Sequence, residues 1–427
     1  MALIILICLF LGFMMLSCPI ALAMGIAVMG YLFMEGNVPL LLIPKHLAVA
    51  VNSFTLLAVP LFILAAEIMN HVGVTDRIFR FALSIVGSVR GGLGHVNVLA
   101  SMIFAGMSGC ATADAAGLGT IEIKAMCKAG YDPEFSAAIT AASSTIGPII
   151  PPSIIMVVYA VIAEESIGQM FLGGLVPGVL MGLFLMATIY LFSWMGWAKC
   201  PIGHHFHFRE LFSSFRQAFL SLLAPVIILG SIFFGITTPT ESAAVAVLYA
   251  VFLGVYYRTL TVRLLIQAFT ETSALSAVVL FLIASSKVLG WVITLEKVPE
   301  LVFTTLYQFT HNKALIVLII DIAILFLGCF MSATAGVVIV TPILLEVASG
   351  VGMNMIHLGV MLVVGLLIGI NTPPVGICLY VVSDVANISV DQMFRAILPF
   401  LIPLIGILLL VSYIPSLTLF LPNLLMN

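Results

Sequence analysis

The chain has 427 residues, of which 63% are hydrophobic and 8% are charged, and its formal net charge is −3. Soluble globular domains are roughly 45–50% apolar and about 25% charged, so this composition excludes a chain that is largely soluble. It leaves no room for a soluble catalytic or nucleic-acid-binding domain. The composition therefore predicts a polytopic membrane protein, and the apolar stretches described next predict that it is all-α.

The first apolar stretch starts at the N-terminus and has no basic residues before it, unlike a cleaved signal peptide. We expect it to remain in the membrane. Cys18 faintly resembles the cysteine of a lipoprotein cleavage site, but Pro19 and the continuing apolar run argue against processing. The seven cysteines form no CxxC pair, so the cysteine pattern indicates neither a disulfide framework nor a zinc site.

Apolar stretches follow one another along the whole chain, separated by short polar joints. A helical span needs about 20 apolar residues, so we predict about 11 transmembrane helices plus some shorter segments. The stretches lie near 2–34, 53–70, 93–123, 135–163, 166–197, 217–236, 242–257, 264–295, 314–349, 354–383 and 394–424. Four of them are interrupted: two by small polar clusters at 107–117 and 331–336, and two by proline clusters at 143–153 and 371–376.

The most basic joint is 199–216, and Arg258 and Arg263 lie in the joint after the next two spans. The positive-inside rule predicts that both joints are cytoplasmic. The run His204-His205-Phe206-His207 could bind a metal weakly, but we favour a solvated basic loop.

The two halves of the chain share landmarks in the same order. Pro19 and Pro239 lie 220 positions apart, and so do Glu67 and Lys287. The small polar clusters recur at an offset of 224 and the proline clusters at an offset of 222. This order predicts a duplicated fold, and two repeats of opposite orientation are typical of secondary transporters.

The four interruptions carry the candidate site. Unwound backbone at membrane depth leaves peptide groups unpaired, so it persists where protein buries it or where it lines a polar cavity. Its carbonyl and hydroxyl oxygens suit a hard monovalent cation, and the starts of half-helices suit an anion. The hydroxyl and amide groups belong to Ser108, Thr112, Ser143, Ser144, Thr145, Ser332, Thr334, Asn371 and Thr372. The alternative for each is that it only joins helices together.

Charges inside apolar runs are costly and often functional. Glu67 and Lys287 occupy equivalent repeat positions, and we favour structural roles for both. For Asp114 and Glu241 the simplest role is capping a helix. A proton pump would need a chain of buried carboxylates or histidines, and the sequence has no conspicuous chain of this kind, which favours sodium.

Over essentially its full length the sequence resembles the large transmembrane subunit of the tripartite ATP-independent periplasmic (TRAP) transporters. The motifs are LLAVPLFILAAEIMN at 56–70, the glycine-rich stretch at 91–120, SSTIGPIIPPS at 143–153, GITTPTESAA at 235–244 and NTPPVG at 371–376.

The resemblance implies an elevator-type ion-transporter fold of two inverted repeats, each with a re-entrant helical hairpin. The first repeat would cover 1–215, and the second would cover 216–427. In the first, scaffold helices occupy about 1–90, the hairpin 93–127 and the broken helix 135–163. In the second, scaffold helices occupy about 217–310, the hairpin 314–349, the broken helix 354–383 and the terminal helix 394–424.

The resemblance also implies two sodium sites with the substrate carboxylate between them. One sodium site would involve Ser108, Ser144, Thr145 and Gly147. The other would involve Ser332, Gly336, Asn371, Thr372 and Pro373. The residues expected to contact the substrate are Ser108, Thr112, Ser143, Ser332 and Thr334.

Sodium is then the coupling ion, and no other cofactor is expected. The implied partners are a small four-helix membrane subunit on a separate chain and a soluble periplasmic substrate-binding protein. The implied location is the bacterial inner membrane. The cargo would be a small organic acid such as sialic acid or a C4-dicarboxylate, and overall likeness favours sialic acid.

Two other functions remain as alternatives. Gly106-Met107-Ser108-Gly109 resembles the nucleophile motif of an intramembrane serine protease, for which His95 or His357 would have to act as the base. A channel could use the re-entrant segments as a selectivity filter. The protease would leave the repeat unexplained. Substrate uptake that saturates and requires a sodium gradient would separate a carrier from a channel.

Overall fold

The computed structural model describes residues 2–16, 18–36, 39, 41–108, 111–197, 200–201 and 207–426. Within these ranges the secondary structure is helical, with one short 3₁₀ helix at Phe54–Leu57. The α-helices are α1 Ala2–Met15, α2 Ile20–Glu35, α3 Leu42–Val51, α4 Ala58–His71, α5 Val74–Val86, α6 Gly92–Ser108, α7 Ala111–Ala116, α8 Leu118–Lys128, α9 Pro133–Ser144, α10 Ile154–Ala163, α11 Ile167–Met195, α12 Phe208–Phe233, α13 Pro239–Tyr256, α14 Val262–Leu295, α15 Val298–Phe309, α16 Lys313–Phe330, α17 Ala333–Val351, α18 Met355–Gly369, α19 Ile377–Ala386, α20 Val390–Tyr413 and α21 Ser416–Leu425.

In the described part of the chain, eight helical segments are long and apolar enough to cross a bilayer. Shorter apolar helices of 10–17 residues accompany them, including the halves of the interrupted helices. The longest helix, α14, has 34 residues and extends about 50 Å at 1.5 Å per residue. The predicted class of all-α membrane protein is confirmed.

The first apolar stretch is divided into two helices. Pro19 is the N-cap of α2. Proline has no backbone N–H to donate within a helix, so α1 does not continue through this position. Leu9 of α1 lies against Gly30 of α2, where a Cβ would meet its side chain at 2.3 Å. The run 2–34 therefore forms a tight helical pair, a turn that hydropathy alone did not reveal.

A hairpin followed by an interrupted helix occurs twice along the chain. The first set is α6–α8 followed by α9 and α10, and the second is α16 and α17 followed by α18 and α19. The interruptions lie at 145–153 and 370–376, where the prolines were predicted to break the helices. Each contains one cis peptide bond, Pro151-Pro152 and Pro373-Pro374.

Local chemistry explains where the second halves begin. The Ser153 hydroxyl accepts a hydrogen bond of 3.2 Å from the Met156 amide, which caps α10. Gly376 precedes α19 with a φ of +56°, a left-handed conformation that favours glycine. Both breaks thus end at residues suited to restart a helix.

The predicted capping role of Glu241 is confirmed. The Glu241 amide donates to the Thr238 hydroxyl over 3.3 Å, while the Glu241 carboxylate accepts from the Thr238 amide over 2.7 Å. This reciprocal pair is a capping box at the start of α13.

The helix α18 lies at the centre of the protein. Every residue from Ile356 to Gly369 is buried, and the helix is apolar on all sides, as expected of a fully enclosed helix. It packs against α16, α17, α10, α11 and α20. The second break follows directly from this helix. Its first residues, Ile370 and Asn371, are buried, whereas Thr372 and Pro373 are partly exposed and Pro374 is exposed. Elsewhere α4 packs between α13 and α14, while α2 and α3 pack against α14.

Candidate functional site

The two helix breaks meet in the interior. Asn371, in the second break, is fully buried and its Nδ2 donates a hydrogen bond to the carbonyl oxygen of Ala141 in α9. The Ser144 hydroxyl, at the end of α9, lies 3.5 Å from the Cys378 sulfur at the start of α19. Residues more than 200 positions apart in sequence are thereby joined at one place.

The first hairpin touches the first break through Asp114 and Gly147. An added Cβ on Gly147 would lie 2.2 Å from Asp114 Oδ2, so the buried carboxylate sits directly against this glycine. The short helix α7, which carries Asp114 and the partly exposed Thr112, also packs against α9 and α19. The tip of the first hairpin therefore reaches both breaks.

The second hairpin is bonded to the second break. The Gly376 amide donates to the Cys329 carbonyl over 3.1 Å, and the Cys329 sulfur lies 3.9 Å from the Pro373 carbonyl oxygen. The turn of the hairpin follows at Ser332, which is exposed and whose hydroxyl accepts from the Ala335 amide over 3.4 Å. Ser332 is thus the N-cap of α17.

The other predicted residues of the second hairpin lie in the first turn of α17. Thr334 is partly exposed, whereas Gly336 is buried and would bring a Cβ within 2.6 Å of the Leu366 side chain in α18. The side chain of Ser108, at the end of α6, and residues 109–110 fall outside the described part of the structure. Lys199, His204 and His205 of the basic joint also fall outside it.

The hydroxyls of the breaks donate to carbonyls of their own helices. Ser144 bonds Ala141 at 2.9 Å, Thr145 bonds Ala142 at 2.7 Å and Thr372 bonds Ile368 at 2.9 Å. A hydroxyl that donates its proton keeps its oxygen lone pairs as acceptors. Asn371 Oδ1 is buried and accepts no hydrogen bond within the described ranges. These oxygens could serve a cation that coordinates neutral ligands.

Ser143 belongs to a buried network that the sequence reading did not identify. Its hydroxyl donates to Asn97 Oδ1 over 2.6 Å, while Asn97 Nδ2 donates to Thr140 over 2.7 Å. Ser101 donates to Ser143 over 3.2 Å. A sequence signal for this network was present. Asn97 and Ser101 are four residues apart on α6, which places them on one helix face. Thr140 and Ser143 are three residues apart on α9 and also share a face.

Glu122 is a second feature that sequence reading missed. It lies in α8, is 1% exposed and is close enough to Asp114 to interact with it electrostatically. Two buried carboxyl groups this close are unfavourable if both are ionised, so a proton or a cation has to compensate one of them.

The equivalent charges Glu67 and Lys287 have different partners. Lys287 Nζ lies 4.0 Å from Glu164 Oε1, whereas Glu67 lies beside Glu271 and His71.

The two histidines proposed as protease bases have structural partners. His95 Nε2 lies 3.1 Å from the Arg90 carbonyl oxygen, and His357 Nδ1 lies 2.9 Å from the Thr418 hydroxyl. His95 is also 13 residues from Ser108 on one helix, about 20 Å away at 1.5 Å per residue.

An all-helical membrane fold in which two hairpins and two interrupted helices converge is typical of the permease of a secondary transporter. The chain belongs to the tripartite ATP-independent periplasmic transporters as a DctM component, since the model of that family matches residues 7–417. It is therefore a multi-pass membrane permease of the TRAP class and not an enzyme, which overturns the protease alternative.

Individual relatives agree with this assignment. The chain is 42% identical over 416 residues to the sialic acid TRAP transporter large permease protein SiaM of Vibrio cholerae, covering 97% of both chains. It is 36% identical over 449 residues to the C4-dicarboxylate TRAP transporter large permease protein DctM of the same species, covering 100% of this chain and 99% of the relative. Among solved structures, the YdaH transporter of Alcanivorax borkumensis shares the fold. Its TM-score is 0.60 at 14% identity, with 87% of this chain and 86% of that chain covered.

Proposed function

We propose that the chain is the membrane subunit of a sodium-coupled importer for a small carboxylate, working by an elevator mechanism in the bacterial inner membrane. The observation that carries the proposal is the junction of the two breaks, where Asn371 donates to the Ala141 carbonyl and Ser144 lies against Cys378. A buried junction of unwound backbone, hydroxyls and amide oxygens is suited to small ions rather than to lipid contact.

One sodium ion would lie beside the first break. Its ligands would come from Ser144, Thr145 and the backbone around Gly147, together with Ser108 at the hairpin. The Asp114 carboxylate, which touches Gly147, would supply the negative charge that stabilises a buried monovalent cation. Charge balance of this kind favours an ion over a water molecule at the same position.

A second sodium ion would lie beside the second break. Asn371 Oδ1, the Thr372 hydroxyl and the Pro373 carbonyl would face it, with Ser332 and Gly336 contributed by the second hairpin. The hydrogen bond from Gly376 to Cys329 supports this pairing, because it fastens the break to the hairpin that carries Ser332.

The substrate carboxylate would lie between the two hairpins. The amide groups at the start of α17 and of α7 favour an anion, and the nearby hydroxyls of Thr112, Ser332 and Thr334 can donate to one. Ser143 bonds to Asn97 in the interior, so we expect it to hold α9 in place rather than to contact the carboxylate.

Sialic acid is the cargo that we propose, because the relative SiaM, at 42% identity, is named for it. A C4-dicarboxylate is the second candidate, since relatives named for that substrate match at 32–39% identity. The tripartite family implies two partners, a small four-helix membrane subunit on a separate chain and a periplasmic binding protein that delivers the substrate.

The elevator mechanism assigns different roles to the two parts of each repeat. We propose that the residues 93–163 and 314–383, with both hairpins and both breaks, move as a transport domain. The helices before them, within 1–90 and 217–310, would form the stationary scaffold. The bonds that link the two breaks across α9, α18 and α19 support movement of these elements as one body.

Asn371→Ala tests the sodium site. Removing the amide oxygen should raise the sodium concentration needed for half-maximal uptake by about tenfold or more, since one lost ligand to a charged group costs about 1.5–3 kcal/mol. The measurement is sialic acid uptake against sodium concentration in proteoliposomes that also contain the partner subunits.

Asn52→Ala is the matched control, because Asn52 is exposed and follows α3, outside both breaks and both hairpins. It should leave the sodium dependence unchanged. If Asn371→Ala is inserted normally and shows the wild-type sodium curve, the assignment of Asn371 as a ligand is wrong.

A further inference from the structure

Three metal-ligating side chains converge between two helices outside the transport site. Glu67 and His71 lie four residues apart on one face of α4, and Glu271 faces them from α14. One ligand atom from each residue lies within 4.8 Å of the others, and His71 Nε2 is 3.2 Å from Glu271 Oε2. Tetrahedral zinc with bonds of 2.0–2.2 Å needs ligand atoms about 3.3 Å apart, so small side-chain rotations suffice.

Two carboxylates and one imidazole share this cluster, and His71 is the group paired with Glu271. Glu67 is half-buried and within hydrogen-bond reach of Glu271, which places two carboxylates face to face. Among the described residues, no lysine or arginine forms an ion pair with either of them. Two adjacent carboxylates need a shared proton or a cation, and a divalent cation neutralises both.

The surroundings also orient one ligand. Gln267, one turn before Glu271, donates from Nε2 to Glu271 Oε1 over 2.9 Å and leaves Oε2 directed at His71. Support of this kind by a neighbouring amide is typical of metal-binding carboxylates. An imidazole with two carboxylates suits zinc better than magnesium or calcium, which prefer oxygen ligands alone.

We propose that Glu67, His71 and Glu271 bind one zinc ion that bridges α4 and α14. Both helices lie in the proposed scaffold, so the ion would brace the stationary part of the carrier. The bridge is independent of the sodium sites, and its test does not depend on transport.

The experiment measures zinc retention and thermal unfolding of the purified full-length chain, first stripped with a chelator and then given zinc or magnesium. The histidine run must be removed first, so the starting chain carries His204→Ala, His205→Ala and His207→Ala and a purification tag without histidine. We expect one zinc per chain and a rise in the unfolding temperature of about 2 °C or more with zinc. Magnesium should give no rise.

The variants His71→Ala and Glu271→Gln change ligands on different helices, and each should abolish the rise. His311→Ala, at an exposed histidine stacked on Tyr307 and not part of the cluster, is the control and should keep it. Failure of the starting chain to retain zinc, or an unchanged rise in Glu271→Gln, would overturn the bridge.

X-ray absorption at the zinc edge provides a test that needs neither ligand variant. The starting chain should show one imidazole nitrogen and otherwise oxygen ligands at about 2.0–2.2 Å. Two or more imidazoles, or a sulfur ligand, would place the zinc elsewhere and contradict the proposal.

Discussion

The first hairpin contacts the first break at Gly147. A methyl group there would lie 2.2 Å from Asp114 Oδ2, well inside van der Waals contact, and the carboxylate is itself buried. Asp114 was expected from the sequence to cap a helix. Its contact with Gly147 gives it a position in which it can act on the first break.

Gly147→Ala should displace the Asp114 carboxylate and reduce sodium-dependent uptake by about tenfold or more, because one misplaced charge near a buried cation costs more than 1.4 kcal/mol. The measurement is the initial rate of uptake at saturating and limiting sodium. Gly230→Ala, in α12 with nothing within 4 Å of the new methyl group, should behave as wild type. Normal uptake by Gly147→Ala would show that the contact with Asp114 is unimportant.

Residue types and spacing predicted candidate site segments, two of which the structure brings together, but they did not predict how the side chains are partnered. The sequence identified Ser144 and Asn371 as candidate site residues because both stand beside proline clusters. It could not identify the Ala141 carbonyl or Cys378 as their neighbours, since backbone atoms carry no sequence signal and the contacts span more than 200 positions.

At the scale of the helices, the backbones of α16 and α18 are in contact at a pair of glycines. A Cβ on Gly369 would lie 2.6 Å from the Cα of Gly328, and a Cβ on Gly328 would lie 2.8 Å from the Cα of Gly369. Backbone atoms cannot turn aside as a side chain can, and small residues are what allow membrane helices this proximity. The crossing also places the second break beside the C-terminal end of α16, where Gly376 bonds to Cys329.

Gly369→Ala should therefore destabilise the protein by on the order of 1–3 kcal/mol, as overpacking does in a dense core. Thermal unfolding in detergent should show a lower midpoint than wild type. Gly406→Ala in α20, where the new methyl group meets nothing within 4 Å, is the control and should unfold like wild type. An unchanged midpoint in Gly369→Ala would mean that the two helices can separate without cost.

Hydropathy predicted the helical elements well and their ends poorly. The runs 135–163 and 354–383 were expected to break at their prolines, and they do. The run 2–34 divides at Pro19, because a single proline stops a helix without changing the mean hydropathy around it. Packing against α14, which decides how the short helices α2 and α3 lie, depends on contacts that the local sequence does not encode.

At the scale of the whole molecule, the elevator proposal predicts that the second hairpin changes the side of the membrane it faces. Ser332 is exposed at the turn of that hairpin, so Ser332→Cys in a chain lacking its native cysteines should react with a membrane-impermeant thiol reagent. Because the transport domain would move with sodium and substrate, the side from which labelling occurs should depend on these ligands.

Asn52→Cys is the matched control, since Asn52 is exposed at the joint after α3 in the proposed scaffold. Its labelling should not respond to sodium or substrate. Ligand-independent labelling of Ser332→Cys, or an equal response at both positions, would contradict a moving domain on a fixed scaffold.

The repeat in the sequence predicted the order of the elements, and family membership established the class of permease. Neither decides whether the chain acts alone. We propose that the ion and substrate sites lie within this chain, and the tripartite family implies that delivery depends on other subunits.

The most direct test reconstitutes this chain with its small membrane subunit in proteoliposomes and measures uptake of radiolabelled sialic acid. We predict uptake when an inward sodium gradient and the periplasmic binding protein are both present, and loss of uptake when either is removed. Equal uptake with potassium in place of sodium, or full uptake without the binding protein, would contradict the account.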